Sequence, residues 1–193
     1  MSLTSENLNI LTKFCNATNT KYKVDSSVKL KELIVYLSSI DQNVNLNWID
    51  VSEITDMKNL FAHLEEFNGD ISEWNTSKVT TMTGMFAYCH NFDGNLSKWD
   101  VHNVKDMSNM FSVCGFTGEN GDINKWDVSN VEKMNSMFSI SPYHGDLSNW
   151  NTRSLKETKF MFRNTPYFNS DISYWNVSNV HESMFMFKDS NFD

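Results

Sequence analysis

One thirteen-residue stretch recurs along the chain and limits what it can fold into. Trp126 to Phe138 reads W-D-V-S-N-V-E-K-M-N-S-M-F, Trp99 to Phe111 reads W-D-V-H-N-V-K-D-M-S-N-M-F, and Trp74 to Phe86 reads W-N-T-S-K-V-T-T-M-T-G-M-F. Degraded copies run from Trp150 to Phe162 and from Trp175 to Phe187. A first copy, one residue longer, runs from Trp48 to Phe61. Each of the six tryptophans opens a copy, at separations of 26, 25, 27, 24 and 25 residues. Self-similarity at this period marks an array of stacked supersecondary units, none of which buries its apolar side alone.

Within one copy the pattern predicts four parts. D-I-S-E-W (70–74), N-L-S-K-W (95–99), D-L-S-N-W (146–150) and D-I-S-Y-W (171–175) place Ile or Leu three before Trp, as a short strand pairing in parallel with its copies would. The W-D-V-S-N segment turns the chain. An apolar residue (54, 79, 104, 131, 155, 180), a Met three later in the first four copies, and a Met-Phe or Leu-Phe three beyond that predict a turn or two of helix. Thr158 and Ser183 replace the first Met in the last two copies. A return loop then carries Phe67, Phe92, Phe116, Tyr143, Phe168 or Phe192, and the variable spacings fall there.

Residues 1–45 read as an N-terminal helical cap and residues 46–193 as the array. A short helix is expected within residues 1–20, a brief strand at Tyr22-Lys23-Val24, and a second helix over residues 26–39. That helix is capped by Asp25 or Ser26, with Val28, Leu30, Leu33, Ile34 and Leu37 on its apolar side. An array needs its first unit covered, and an amphipathic helix across the end does this.

Fourteen Phe and eleven Met against two Pro and seven Gly suit a narrow core in which each unit contributes a few large inward side chains. The net charge of −8 is uneven: residues 1–47 hold five Lys and four acids, and the rest hold 11 bases and 20 acids. An acidic array repels phosphate, which argues against nucleic acid and against anionic lipid as partners. No apolar run reaches the ~20 residues needed to cross a bilayer, and the N-terminus lacks a signal-peptide pattern. The chain as written is expected in the cytoplasm, or at the cell surface or secreted if it is a piece of a longer exported protein.

No arrangement of residues calls for a catalytic role, a metal or a cofactor. The five histidines fall at different repeat positions, and no Ser-His-Asp set or phosphate loop is present. Two columns of Asp and Asn, one after each Trp (50, 75, 100, 127, 151, 176) and one opening each expected strand (70, 95, 122, 146, 171), allow two readings. One is Ca²⁺ binding; the favoured one is turn-closing bonds to backbone N–H groups. Cys89 and Cys114 share one register, occupied elsewhere by Leu64, Ser141, Thr165 and Ser190. That favours a small, semi-buried column position. The alternative is a disulfide between adjacent units, which a strand spacing of about 4.8 Å would allow.

The W-D-V-S-N-V-x-x-M-x-x-M-F and F-N-G-D-I-S-x-W motifs, over about residues 44–193, resemble those of the BspA-like leucine-rich-repeat surface proteins. The resemblance implies a leucine-rich-repeat-like α/β solenoid of about six coils. It also implies a surface role in adhesion or protein recognition, usually in bacteria or protists, with no catalytic site. The expected function is accordingly a non-enzymatic scaffold that docks a protein partner through its extended face. The exposed, variable residues Glu73, Lys98, Lys125, Asn149 and Tyr174 are the contact candidates. A Ca²⁺- or glycan-binding adhesin and an intracellular inhibitor or effector with an acidic surface are the alternatives. The position before the final Met-Phe is Asn59, Gly84, Asn109 and Ser136, then Phe160 and Phe185. These two either form, with Phe162 and Phe187, an apolar patch through which the C-terminal end self-associates, or turn inward to replace the missing Met.

Overall fold

A computed structural model describes Lys13, Thr18 and residues 20–193. The helix expected within residues 1–20 lies outside the described residues but for Lys13, Thr18 and Thr20. Strand β1 (Tyr22–Lys23) pairs in parallel with β2 (Ile49–Asp50), at the end of the first tryptophan's turn. Helix α1 (Ser27–Ile40) starts where Ser26 accepts the amide of Lys29, and it buries Leu30, Leu33, Ile34 and Leu37. Val28, expected on the apolar side, is exposed, because it lies off the stripe set by the other four. The helix sits against copy one: the Ser27 hydroxyl donates to the Asp56 carbonyl, and Lys31 Nζ donates to the Asn59 carbonyl at 2.8 Å.

Successive copies pair in parallel through single bridges, Asp56 to Thr81 to Asp106 to Lys133 to Glu157 to Glu182. Their offsets of 25, 25, 27, 24 and 25 match the tryptophan separations apart from the extra residue of copy one. Only the bridge from Asn45 to Asp70 lies where the repeat pattern places a strand; the others do not. The D-I-S-x-W segments are tight turns: the Asp or Asn side chain takes the amide two residues on, and the Trp amide reaches back to the Ile or Leu carbonyl, as from Trp74 to Ile71 at 3.2 Å. A backbone closed on itself at this spacing cannot extend into a ladder.

The pairing falls instead in the Met-x-x-Met-Phe segment, which is not helical. In copy two, the amides of Met82, Gly84, Phe86 and Tyr88 donate to Asp106, Ser108, Met110 and Ser112 of copy three at 2.8–3.0 Å. The intervening amides of Met85, Ala87 and Cys89 close turns onto the carbonyls three residues back. A helix would spend all of these amides internally. The departure is enforced by left-handed backbone at two places in every copy, with φ of +62 at both Gly84 and Tyr88 and similar values at their equivalents. Apolar spacing of 3, 3 and 1 is common to a helical turn and to this ribbon of consecutive turns, so periodicity alone does not separate them.

The core is a set of ring columns. Phe61, Phe86, Phe111, Phe138, Phe162 and Phe187 stack at 5.1–5.6 Å. A second file, Phe67, Phe92, Phe116, Tyr143, Phe168 and Phe192, stacks beside it at 5.7–6.4 Å. The tryptophans pack along the same cluster, and each from Trp74 onward donates its indole N–H to the Ile or Leu carbonyl of the preceding copy at 2.9–3.1 Å. Trp thus brings large apolar area and a donor that reaches the carbonyl closing the turn of the preceding copy. Trp48 has no preceding copy, and its indole N–H is unpaired among the described residues.

Candidate interaction surface

With Trp, Met and Phe directed inward, what the array offers to a partner is the set of positions that point outward. The residue before each Trp from Trp74 onward is one of them. Glu73, Lys98, Lys125, Asn149 and Tyr174 are all exposed, each between a turn-closing Asp or Asn and an anchored indole. The Glu73 carboxylate accepts from Lys98 of the next copy, and the amides of Glu73 and Asn149 donate to Asn47 and Asn124 of the copy before at 2.8 and 2.9 Å. These five residues therefore take the same place in successive copies, and at Glu73 and Asn149 the backbone is tied to the copy before. Tyr174 is 84% exposed.

The two Asp and Asn columns are committed to backbone. Asp50, Asn75, Asp100, Asp127, Asn151 and Asn176 each accept the amide two residues on at 2.9–3.3 Å. Asp70, Asn95, Asp122, Asp146 and Asp171 do the same at 2.8–3.0 Å. Asp and Asn interchange because only one carboxamide or carboxylate oxygen is needed. Among the described residues no group of three His, Cys, Asp or Glu is placed to hold a metal ion.

The same bonds make the fold sensitive to acid. Hydrogen bonds from Ser52 and Ser129 hold the carboxyls of Asp50 and Asp127 below their ordinary range. The amides of Ser148 and Ser173 do so for Asp146 and Asp171. A carboxyl whose folded pKa is depressed contributes stability above its unfolded value of about 3.9 and loses it as pH falls through the folded value. The melting temperature is expected to be level above about pH 5 and to fall between about pH 4 and pH 2, as followed by circular dichroism. A melting temperature independent of pH over that interval would remove the Asp turns from the stability of the fold.

Across the outer side of the Met-x-x-Met-Phe ribbon run two files of left-handed residues. Asn59, Gly84, Asn109, Ser136, Phe160 and Phe185 form one; His63, Tyr88, Val113, Ile140, Asn164 and Asp189 form the other. The second was not legible in the sequence, since Val and Ile rarely adopt positive φ. Between the files, around Asn59, Ala62, His63, Gly84, Ala87 and Tyr88, lies a shallow cleft of about 380 Å³. The four phenylalanines of the C-terminal end separate into two pairs. Phe162 is buried and Phe187 half-buried in the main ring column. Phe160 and Phe185 remain outside, stacked on each other at 5.6 Å, with Arg163 and Lys188 over their rings. They do not replace the missing Met.

Phe185 combines a φ of +58 with 51% exposure. A left-handed L-residue costs about 1–2 kcal/mol, and Asn tolerates that conformation best after Gly. Phe185→Asn is therefore expected to raise stability in urea by about 1 kcal/mol after loss of the ring pair. A lower unfolding midpoint would show that the exposed stack outweighs the backbone strain.

Cys89 and Cys114 are free and buried, one on each of two adjacent copies. The Cys89 thiol donates to the Phe61 carbonyl at 3.0 Å, and burial pushes it up to about 12. Burial raises Cys114 well above its ordinary value as well. Neither forms the disulfide that their register would permit, and both fill the column as small apolar groups.

No helix among the described residues is long and apolar enough to cross a membrane. No curated protein and no solved structure matches the chain. One family model matches twice, over residues 12–141 and 115–193, so that the two matches together take in both the α1 region and every copy of the repeat. On that coverage the chain belongs to the family described as Mycoplasma protein of unknown function, DUF285.

Proposed function

We propose that the chain is a non-enzymatic recognition scaffold, a leucine-rich-repeat-like solenoid that docks a protein partner along its extended face, in adhesion or in partner binding. The observation that carries this reading is the division of labour within each copy. Inward positions repeat the same Trp, Val, Met and Phe. Outward positions one residue before each Trp from Trp74 onward change from acid to base to amide to phenol, and at Glu73 and Asn149 a side chain of the copy before holds the backbone. A rigid frame with variable outward chemistry is what a repeat surface needs for specificity. Tyr174, large and nearly fully exposed, is the best anchor among the five, since Tyr is enriched where binding energy concentrates.

The test compares the chain with a variant carrying Lys98→Ser, Lys125→Ser, Asn149→Ser and Tyr174→Ser, immobilised at equal density and challenged with extracts of the source cell and of its surroundings. The variant should keep the parent's melting temperature and lose the proteins that the parent retains. Retention of the same proteins by both would place recognition elsewhere on the molecule.

A further inference from the structure

Copies one to three leave four polar side chains unused around one cleft. Asn59 and Asn109 belong to the first left-handed file, on either side of Gly84, and Tyr88 belongs to the second. Ser112 lies on the floor between the files. None of the four side chains hydrogen-bonds to another described residue. Carboxamides elsewhere on the array, such as those of Asn47, Asn103, Asn124 and Asn135, are tied to neighbouring copies. All four unused groups line the cleft of about 380 Å³, which falls within the roughly 300–1,000 Å³ of small-ligand sites. Asn59 Oδ1 lies 2.2 Å from where a Cβ on Gly84 would stand, so the missing side chain leaves room for the carboxamide. The position after each Met-Phe or Leu-Phe makes the floor: Ala62, Ala87, Ser112 and Ser139, then Arg163 and Lys188. The Arg163 guanidinium lies over the Phe160 ring, 5.9 Å from its centroid, so floor and wall are filled from copy five onward.

We propose that this cleft binds a neutral glycan, an extended run of β-linked hexose rings lying along the array. Its chemistry and its spacing both point there. No carboxylate lines it among the described residues, and its one ammonium, Lys31 Nζ, already donates to the Asn59 carbonyl at 2.8 Å. A cleft without free charge, in a chain of net charge −8, suits an uncharged ligand. It offers two carboxamides and two hydroxyls, each able to donate and to accept, and these match the neighbouring hydroxyls of a sugar ring. Tyr88, 44% exposed, adds apolar ring surface for the sugar C–H groups. Copies follow one another at 4.7 Å from His63 to Tyr88, and at 5.1 and 5.6 Å from Phe61 to Phe86 to Phe111. That is close to the advance per ring of an extended β-linked hexose chain, so one ring meets one copy. An extended peptide advances roughly 3.3 Å per residue and repeats a face at roughly 6.6 Å, out of step with the copies. Its backbone would also lack partners, because the amides of Gly84, Ala87, Tyr88, Asn109 and Ser112 are spent within the array. The site lies on the ribbon and is independent of the face before each Trp.

The experiment is an NMR titration of the full chain with cellotetraose and chitotetraose, the β-linked tetramers of glucose and N-acetylglucosamine. Maltotetraose, the α-linked glucose tetramer whose chain coils, is the comparison. At least one β-linked tetramer is expected to shift the Gly84 and Ser112 amides and the Asn59 and Asn109 carboxamides together and to saturation, while the Tyr174 amide stays still. Maltotetraose should bind more weakly. Asn59→Gly combined with Asn109→Gly removes both carboxamides and leaves a residue suited to left-handed backbone. This variant should keep the parent's spectrum away from the cleft and bind about tenfold more weakly, as expected for the loss of two neutral hydrogen-bonding groups. Gly84→Asn is the second variant. It fills the cleft against the movable end of Asn59, at a φ that Asn tolerates, and should abolish binding. No saturable shift at these groups with either β-linked tetramer, equal affinity for maltotetraose, or unchanged affinity in either folded variant overturns the proposal. Each of these outcomes leaves the face before each Trp to its own capture experiment.

Discussion

Phe111→Ala is expected to destabilise the chain by about 3–5 kcal/mol, the range for deleting a fully buried ring. That is a large part of the roughly 5–15 kcal/mol that holds a domain of this kind folded. Phe111 lies 5.6 Å from Phe86 on one side and 5.6 Å from Phe138 on the other, with Phe116 at 4.3 Å, and it is wholly inaccessible to solvent. The cavity would sit in the middle of the column, where the copies on either side cannot collapse into it without leaving their ladder bonds. Stability in such an array is mostly a sum over neighbouring units, so the loss falls on two interfaces at once. The matched control is Phe187→Ala, at the half-buried end of the same column, which has one neighbour in the file and should cost clearly less. Urea unfolding of both variants checks this. Equal costs would mean that the Phe column does not behave as one stacked core.

A substitution that adds a single methyl group should do comparable damage. In copy two the chain takes six residues from Phe86 to Phe92, and in copy three only five from Phe111 to Phe116, so that Gly115 stands over the pair His90-Asn91. A Cβ at Gly115 would lie 2.0 Å from the His90 carbonyl oxygen and 2.9 Å from its carbon. The obstacle is backbone, and Gly115 cannot withdraw without giving up its own amide bond to Cys89 at 3.0 Å. Gly115→Ala is therefore expected to cost about 3 kcal/mol, the upper part of the range for overpacking. Pro142 occupies the equivalent place in copy four, where the connection is again five residues and lies over another five-residue connection. Pro142→Ala should be close to neutral. Thermal melts of the two variants separate the explanations: a mild Gly115→Ala would show that the change of loop length is absorbed by movement rather than by the absent side chain.

The α1 region and the inward residues were largely legible in the sequence. Ser26 caps α1, the brief strand at Tyr22 is present, and Trp, Val, Met and Phe occupy the core at the repeat positions that their spacing marks. The turn function of the Asp and Asn columns was legible for a chemical reason, since interchange of the two side chains fits an oxygen acceptor and not a charged ligand set. What failed was the backbone between those points. D-I-S-x-W looked like a strand and, apart from the single bridge between Asn45 and Asp70, closes as a turn. V-x-x-M-x-x-M-F looked like a helical turn and is the paired ribbon. In both cases the side-chain period was read correctly, and the destination of the amides decided the conformation.

The surface shows the same division. Glu73, Lys98, Lys125, Asn149 and Tyr174 could be placed outside by the repeat alone, because each precedes a buried Trp. Phe160 and Phe185 could be recognised as anomalous but not oriented. Their left-handed backbone, shared with Gly84 and Asn109, points them outward whatever their hydrophobicity.

By itself, then, the sequence determined the number of copies, their offsets and which side chains face the core, because burial is repeated with the chain and can be counted along it. Only the tertiary structure decided which hydrogen bonds run within a copy and which run to the next. That choice depends on backbone dihedrals that a neighbouring copy stabilises, and it gives the ribbon its direction. In copy two that direction runs from the amides of Met82, Gly84, Phe86 and Tyr88 to the carbonyls of copy three.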